Sequence, residues 1–408
     1  MTQWLEKLRS EGRAAFDAVG LPSRRVEAWK YSDLARAMER DVQDDIGDGF
    51  SFSVPDAVTV EIVDGVCAPV AEGVGVRDLK ALLAHPDPLV QSFLGQVAEN
   101  SSHPVLALNT AFMEGGIVVH VPRQVTREKL VHLRYRWTKE QGDTEARHLR
   151  TLIVVEEEAR VRFLETHEGP GARGLATLVT EVDLASAAHI DYARMEALGA
   201  GARQAAVLAV RAGRDAVFNG FLVSRGAAFS RHELLARLTG EGATLNVDGV
   251  YLVGEASHND NTTIISHAVP NTTSRQMFRG VLSGSARGVF QGKVIVAPGA
   301  QGTDAQQQSR AILLSRQAEI DNKPELEIFA DDVKCSHGAT AGELDPAALF
   351  FLRARGIPEK EARALLVEGF LEQGLEALSD GELRALAHGF VRYWLDAHAM
   401  EVPDAGER

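Results

Sequence analysis

A thiol and an imidazole stand two residues apart in the segment DDVKCSHGAT, which runs from Asp331 to Thr340. If this segment is a strand, Cys335 and His337 point to the same face, and in a loop they can also converge. A thiolate beside an imidazole suits soft or borderline metals and sulfur transfer. Two ligands do not complete a tetrahedral site, so a metal here would need ligands from distant residues or a partner chain. The structural alternative is a buried cysteine beside a hydrogen-bonded histidine in a turn.

A second candidate lies in the polar stretch SHNDNTTIISHAVPNTTSRQMFRG, which contains His258 and His267. Asp260, Asn261 and Asn271 make the stretch polar, and a metal site is one interpretation of it. We favour the alternative, in which asparagine and threonine side chains hydrogen-bond along the turns of a repetitive β structure.

Several catalytic and cofactor motifs are absent from the sequence. It has no Walker phosphate loop, no G-x-S-x-G elbow and no dinucleotide fingerprint. The RHE triplet at residues 231–233 lacks the second helical histidine of a zinc protease. A complete catalytic constellation is therefore not visible in this chain.

The composition narrows the class of protein. With 408 residues, the chain is long enough for two or three domains or one elongated domain. Its net charge of −14 disfavours nucleic-acid binding. Two distant cysteines, Cys67 and Cys335, cannot build a disulfide framework, so a reducing cytoplasm fits and a disulfide between them is disfavoured. No secretory h-region and no membrane-spanning apolar run are visible.

The pattern of apolar residues changes twice along the chain. Helical periodicity dominates residues 1–113, and short β-branched or alternating runs fill residues 114–340. Residues 341–408 are helical again, with Asp345 and Ser379 as candidate N-caps. We therefore expect a mainly β core between an N-terminal and a C-terminal helical domain.

A weak repeat accompanies the strand-like runs. A small or acidic turn is followed by alanine, any residue and an apolar residue, and four of these alanines are spaced by 29, 28 and 27 residues. The four are Ala159, Ala188, Ala216 and Ala243, with Ala318 as a later member and Ala286 displaced by one position. Such a period predicts a β-solenoid, while a β-sandwich with alanine-rich turns remains the alternative.

Three segments resemble the SufB/SufD family of iron–sulfur cluster assembly scaffolds. They are LPSRRVEAWKYSDL, then RGVFQGKVIVAPGAQGTDAQQQSRAILLS with DNKPELEI, and finally LEIFADDVKCSHGATAGELDPAALFFLRARGIPEKEARALLVEGF. The Cys-Ser-His-Gly form resembles the SufD branch of the family more than the SufB branch.

The resemblance implies a right-handed parallel β-helix flanked by helical domains. It also implies pairing with SufB through the β-helix and binding of the ATPase SufC to the C-terminal helical domain. A nascent iron–sulfur cluster would be shared with SufB, and His337 and Cys335 are the candidate ligands here. Asn261 and Asn271 stand where family members often carry histidine, so we assign no ligand role to that segment.

Three other functions stay open at this stage. A SufB-like homodimeric scaffold would need cysteines within the β core, and none lies between Cys67 and Cys335. A carbohydrate-acting β-helix enzyme would need clustered acids, for which Asp331 with Asp332 or Asp183 with Asp191 are the candidates. In the third alternative, the chain is a purely structural bracket for SufC.

Overall fold

The computed structural model describes residues 3–40, 50–68, 75–85, 87–98, 103–138, 145–171 and 174–398. Strands hold 44% of the residues and helices 24%, in a β-solenoid of about seven turns with helices at both termini. The predicted mainly β class is therefore confirmed, and the sandwich alternative is wrong. No helix within the described ranges is both long and apolar enough to cross a membrane.

The N-terminal part combines short helices with three short strands. The helices are α1 Gln3–Val19, a 3-10 turn at Glu27–Trp29, α2 Leu34–Glu39, α3 Leu79–Ala84, α4 Pro88–Phe93 and α5 Pro104–Phe112. The strands are β1 Val58–Val63, β2 Val66–Cys67 and β3 Val76–Asp78. β1 pairs in parallel with Val131–Arg136, which is a strand of the solenoid, so the N-terminal part joins the β core directly.

Sixteen further strands build the solenoid, and consecutive strands alternate between two sheets. They are β4 Gly115–Val121, β5 Val131–Arg136, β6 Arg147–Val155, β7 Arg160–Gly169, β8 Leu175–Leu184, β9 His189–Leu198, β10 Arg203–Ala212, β11 Val217–Ser224, β12 Phe229–Leu238, β13 Thr244–Val253, β14 His258–His267, β15 Thr273–Leu282, β16 Arg287–Val296, β17 Asp304–Leu313, β18 Glu319–Ile328 and β19 Lys334–Gly342. Odd strands from β5 onward form one parallel ladder and even strands from β4 onward form the other. Each turn of the solenoid therefore stacks directly on the previous one.

The alanine repeat marks the corners where an even strand passes into an odd strand. Ala159, Ala188, Ala216 and Ala243 are fully buried immediately before β7, β9, β11 and β13. The residue before each of these alanines has a positive φ, and backbone hydrogen bonds stack successive corners, as from the Ala187 nitrogen to the Arg214 oxygen at 2.8 Å. A small side chain is favoured inside such a tight corner.

The assignment of Ala318 to this same series is wrong. Ala286 and Ala318 lie immediately before β16 and β18, which are even strands, so both occupy the opposite corner of the solenoid. The spacing of Ala286 is displaced because this alanine belongs to a second series of corners and is not an irregular member of the first.

Helices cover the outer faces of both sheets. The C-terminal helices are α6 Pro346–Arg353, α7 Glu359–Leu375 and α8 Gly381–His398. From α7 and α8, Leu371 and Phe390 pack against the outward side chains of the odd strands, such as Met195 and Val250. Trp29, Leu34 and Leu106 of the N-terminal part pack on the even-stranded sheet.

The helix caps agree with the sequence in one case and differ in the other. Asp345 caps α6, because its carboxylate accepts a hydrogen bond from the Ala347 nitrogen at 2.9 Å. The predicted cap at Ser379 is wrong. The next residue, Asp380, accepts hydrogen bonds from the Glu382 and Leu383 nitrogens at 3.0 and 3.2 Å. An ionised carboxylate is a stronger acceptor than a hydroxyl and is favoured at the positive helix end.

Candidate functional site

The last turn of the solenoid, formed by β18 and β19, is an open end. Both strands lie at the end of their ladder, so one backbone edge of each has no neighbouring strand in the described chain. The preceding strand β17 still buries alternate side chains, whereas β18 is mostly half-buried and β19 is almost fully exposed. An uncovered strand edge is a template for pairing with another chain.

Cys335 and His337 lie on β19, as the strand interpretation of their spacing requires. Cys335 is opposite Ala305 and His337 is opposite Gln307 in the parallel ladder. Ala305 and Gln307 are buried on the inward face of β17, so both candidate ligands continue that inward column at the open end. The thiol and the imidazole therefore share one face at the last turn.

The surroundings of the two side chains differ. Cys335 is half-buried and packs at the edge of an apolar cluster that includes Val294, Val296 and Ala300. Burial raises the pKa of the Cys335 thiol; the Ala305 backbone nitrogen partly opposes this and Asp304 adds to it. His337 is exposed. Because a thiolate is the metal-binding form, Cys335 would lose a proton on binding a metal.

These two residues do not complete a metal site. Within the described ranges, no group of three or more histidine, cysteine, aspartate or glutamate side chains is placed to hold a metal ion. Cys67, the other cysteine, lies on β2, at the opposite end of the odd-stranded ladder from β19, and both cysteines are free. Any further ligands for a metal at His337 therefore lie outside the residues that the structure describes.

The polar side chains of the second candidate stretch hydrogen-bond to one another and to neighbouring residues, which is the pattern that the favoured alternative predicted. His267 contacts the Thr272 and Ser274 hydroxyls at 2.8 and 2.9 Å, and burial lowers its pKa to about 4. His258 contacts the Ser32 hydroxyl at 2.8 Å, and its pKa is lowered to about 3, mainly by burial. Both rings thus have hydroxyl partners within the protein.

The two asparagines of that stretch lie apart from each other. Asn261 is buried on the inward face of β14, where its side-chain amide donates a hydrogen bond to Oδ1 of Asn259 at 2.8 Å. Asn271 is exposed at a corner with a φ of 56°, a conformation that asparagine tolerates better than most residues. Neither residue lies on the turn that carries His337.

The acidic pairs considered for carbohydrate chemistry do not form a site. Asp183 lies on β8 and is paired with Arg211, whereas Asp191 lies on β9, in the other sheet, beside His189 at 3.2 Å. Asp331 and Asp332 are both exposed in the turn before β19. The structure therefore brings no opposed pair of carboxylates together at these positions.

A buried charged cluster inside the solenoid was missed by the sequence reasoning. Arg194 on β9 donates to Glu165 at 2.6 Å and to Glu196 at 2.7 Å. His167 contacts Glu165 at 2.7 Å, and His232 approaches Glu196 at 3.2 Å. All five side chains are buried. The Arg194 charge, more than any other favourable contact, opposes the cost of burial and holds the pKa of Glu165 down to about 2.

A sequence signal for that cluster exists. Glu165 and His167 follow Val161 and Phe163 at intervals of two residues, and Arg194 and Glu196 follow Ile190 in the same way. Charged residues in step with the inward apolar residues of a strand indicate an internal polar cluster. Considered one at a time, these charged residues resemble those on the solvent-exposed face of an ordinary strand.

Comparisons with known proteins extend these observations. Residues 136–370 match the family described as SUF system FeS cluster assembly, SufBD core domain, and residues 1–133 match the SufBD protein N-terminal region. An iron–sulfur cluster assembly SufBD family protein of Synechocystis is 28% identical over 91% of this chain and 87% of its own length. The SufD protein of Escherichia coli is 28% identical over 90% and 87%. The SufD protein of Bacillus subtilis is 28% identical over 72% and 67%.

Proposed function

The chain belongs to the SufBD family of the SUF system, and on that premise we propose that it is a SufD-type scaffold subunit. In this proposal it pairs with SufB through the solenoid and with the ATPase SufC through its C-terminal helices. The complex builds a nascent iron–sulfur cluster and passes it to acceptor proteins. Membership of the family and the similarity to proteins named SufD support a role in iron–sulfur cluster assembly.

The open last turn is the observation that carries this proposal. Among the described residues, β18 and β19 each have one backbone edge without a neighbouring strand, and β19 presents small and polar side chains there. A second solenoid can continue both ladders there, which would cover exposed backbone groups with hydrogen bonds. Such a contact would place His337 and Cys335 at the junction of the two chains.

His337 is the stronger candidate ligand of the pair. Its exposure leaves the imidazole accessible to a cluster shared across the junction, while Cys335 is half-buried with a raised thiol pKa. We assign His337 the role of interface ligand or proton partner during assembly. Cys335 is assigned either a second ligand or a packing residue. The iron and sulfide are substrates of this assembly and not a resident cofactor of the chain.

The C-terminal helices offer the second contact. Helix α6 has no buried residue, and Phe350 and Phe351 are 73% and 54% exposed. Neighbouring exposed aromatic residues commonly mark a protein interface. We therefore assign the SufC-binding surface to residues 341–408. The remaining domain bounds in this proposal are a β-helix core at residues 114–340 and an N-terminal mainly helical domain at residues 1–113. ATP-driven closure of SufC would move these helices against the solenoid and open the junction.

Light scattering on a sizing column tests the proposal directly. The chain is run alone, with SufC, with SufB and with both partners from the same cell. A stable complex that contains all three proteins is the expected result. A homodimer that binds SufC and excludes SufB would instead favour the SufB-like scaffold, and a chain that ignores both partners would overturn the proposal.

In this proposed role the chain is an assembly subunit and not an enzyme. A purely structural bracket for SufC would form the same three-protein complex, so complex formation does not distinguish it. Cluster assembly by a complex that carries both His337→Ala and Cys335→Ala does. Full cluster yield from that complex would favour the bracket.

A further inference from the structure

A pocket of about 240 Å³ lies between the N-terminal segment and one corner of the solenoid. Its walls include four arginines, namely Arg24, Arg36, Arg40 and Arg287. Buried residues of the solenoid, among them Phe229 and His258, contribute to the lining. The pocket is built from the starts of β12, β14, β16 and β18, and the residues of β19 that carry Cys335 and His337 do not line it.

The acidic residues that line the pocket are already engaged. Asp33 caps α2, because its carboxylate accepts a hydrogen bond from the Arg36 backbone nitrogen at 3.0 Å. Glu319 lies 3.6 Å from Arg287, and Arg287 also binds Asp321 at 2.6 Å. These contacts give both carboxylates partners within the protein and pair one of the four arginines with acidic side chains.

The other three arginines of the lining have no ion-pair partner among the residues that the structure describes. In the part of the chain that the structure covers, the guanidinium groups of Arg24, Arg36 and Arg40 form no ion pair and no hydrogen bond. This concentration of positive charge stands in a chain whose net charge is −14. The positive field also reaches the lining, since Arg287 and Arg40 add to burial in lowering the pKa of His258.

The N-terminal segment that carries these arginines is fixed to the solenoid. Ser32 contacts His258 at 2.8 Å and also donates to Asp260, which is fully buried. The Trp29 ring lies 4.0 Å from the guanidinium of Arg231. The backbones of Arg36 and Arg40 are therefore held beside the pocket, which lowers the entropic cost of gathering them around a ligand.

We propose that this pocket binds a small anion that carries phosphate groups, with pyrophosphate as the simplest example. Guanidinium groups bind phosphate oxygens through paired N–H donors, and three of them can share a ligand of several negative charges. The volume lies below the range of about 300–1,000 Å³ typical of drug-sized ligands, so it favours a small anion over a large cofactor. The assembly role proposed above does not use this site, and the two proposals stand or fall separately.

Calorimetric titration with inorganic pyrophosphate tests the site in the full chain. Wild-type protein is expected to bind it at both 50 and 150 mM NaCl, concentrations between which surface charges become more strongly screened. The double variant Arg36→Gln/Arg40→Gln is expected to bind at least about tenfold more weakly, because two charge-assisted contacts are lost. Arg214→Gln, an exposed arginine at a solenoid corner outside the pocket, is the matched control and should bind like wild type.

Other ligands and a charge-preserving variant separate the outcomes. Arg36→Lys/Arg40→Lys keeps the charge and is expected to bind with intermediate affinity if the planar fork matters. Tighter binding of AMP than of orthophosphate would indicate a phosphate ester, and the reverse order would indicate free phosphate; either supports the site. Binding that vanishes at 150 mM NaCl, equal binding by the double variant, or tighter binding of citrate than of pyrophosphate would each overturn it.

Discussion

His337 lies directly opposite Gln307 in the ladder between β17 and β19, and the two side chains share the inward face. Gln307 is only 3% exposed, whereas His337 is exposed, so burial ends between these two residues. An imidazole at that boundary is held by a regular strand and yet remains open to a second chain. A site carried by a strand is positioned more rigidly than one carried by a loop.

Replacing His337 with alanine is expected to leave the complex with SufB and SufC intact and to reduce cluster formation strongly. The side chain is exposed, so its removal costs little stability. The measurement is the visible absorbance of the cluster after anaerobic reconstitution with ferrous iron and sulfide. His85→Ala, at an exposed histidine beyond α3, is the control. Normal cluster yield with His337→Ala would remove the assigned role.

The thiol of Cys335 is expected to be alkylated more slowly at pH 7.5 than an unperturbed cysteine. Burial raises its pKa, so less of it is thiolate, and the rate should keep increasing as the pH is raised. Mass spectrometry of iodoacetamide labelling in a Cys67→Ser background measures the rate. Cys67, whose pKa is raised to about 11 by burial, serves as the slower comparison in a Cys335→Ser variant. Faster labelling of Cys335 than of a model thiol would contradict the burial argument.

Replacing Arg194 with methionine is expected to lower the free energy of unfolding by about 3–5 kcal/mol. The substitution leaves the buried carboxylates of Glu165 and Glu196 without their cation. Urea denaturation followed by circular dichroism gives the difference. Arg214→Met, in an exposed pair with Asp215, is the control and should change stability by less than about 1 kcal/mol. Equal stabilities would mean that the two glutamates do not carry a buried charge.

Stability is expected to fall as the pH drops below about 6.5. Burial lowers the pKa of His267 to about 4 in the folded chain, so between those pH values the unfolded chain binds a proton that the folded chain does not. At pH 5 this difference amounts to about 2 kcal/mol for one histidine. Urea midpoints measured from pH 7.5 to 5 should show the slope, and His267→Gln should reduce it. A slope unchanged in that variant would contradict the assignment.

Replacing Phe350 and Phe351 together with alanine is expected to weaken SufC binding at least about tenfold while leaving stability unchanged. Both rings are exposed, so their removal creates no cavity in the chain, yet aromatic residues often dominate binding energy. Titration of SufC by calorimetry measures the loss. Val66→Ala, at a residue 68% exposed on β2, is the control. Unchanged affinity would move the SufC surface elsewhere.

The sequence predicts the repetitive parts of this fold well and the long-range contacts poorly. The corner alanines and the strand-like runs follow a local period, so the solenoid and the strand that carries His337 could be inferred. The contacts of Trp29 with Arg231 and of Ser32 with His258 join residues more than 200 positions apart, and no local pattern contains them. Likewise, the charges of Glu165 and Arg194 suggest solvent-exposed positions unless it is known which residues of their strands face inward.

The alternation of strands between two sheets also has a consequence for how the chain folds. Each strand pairs with the strand two steps later, as Arg203 does with Phe229, so the solenoid can wind up turn by turn from nearby segments during synthesis. The C-terminal helices differ, because Asp380 reaches back 218 residues to Arg162. Their docking needs strands that lie far earlier in the chain, and pulsed hydrogen exchange should find α7 and α8 protected after the inner strands. Ribosome-bound chains that lack these helices should therefore already contain a wound solenoid, with the part of the odd-stranded sheet that α7 and α8 cover still exposed to solvent.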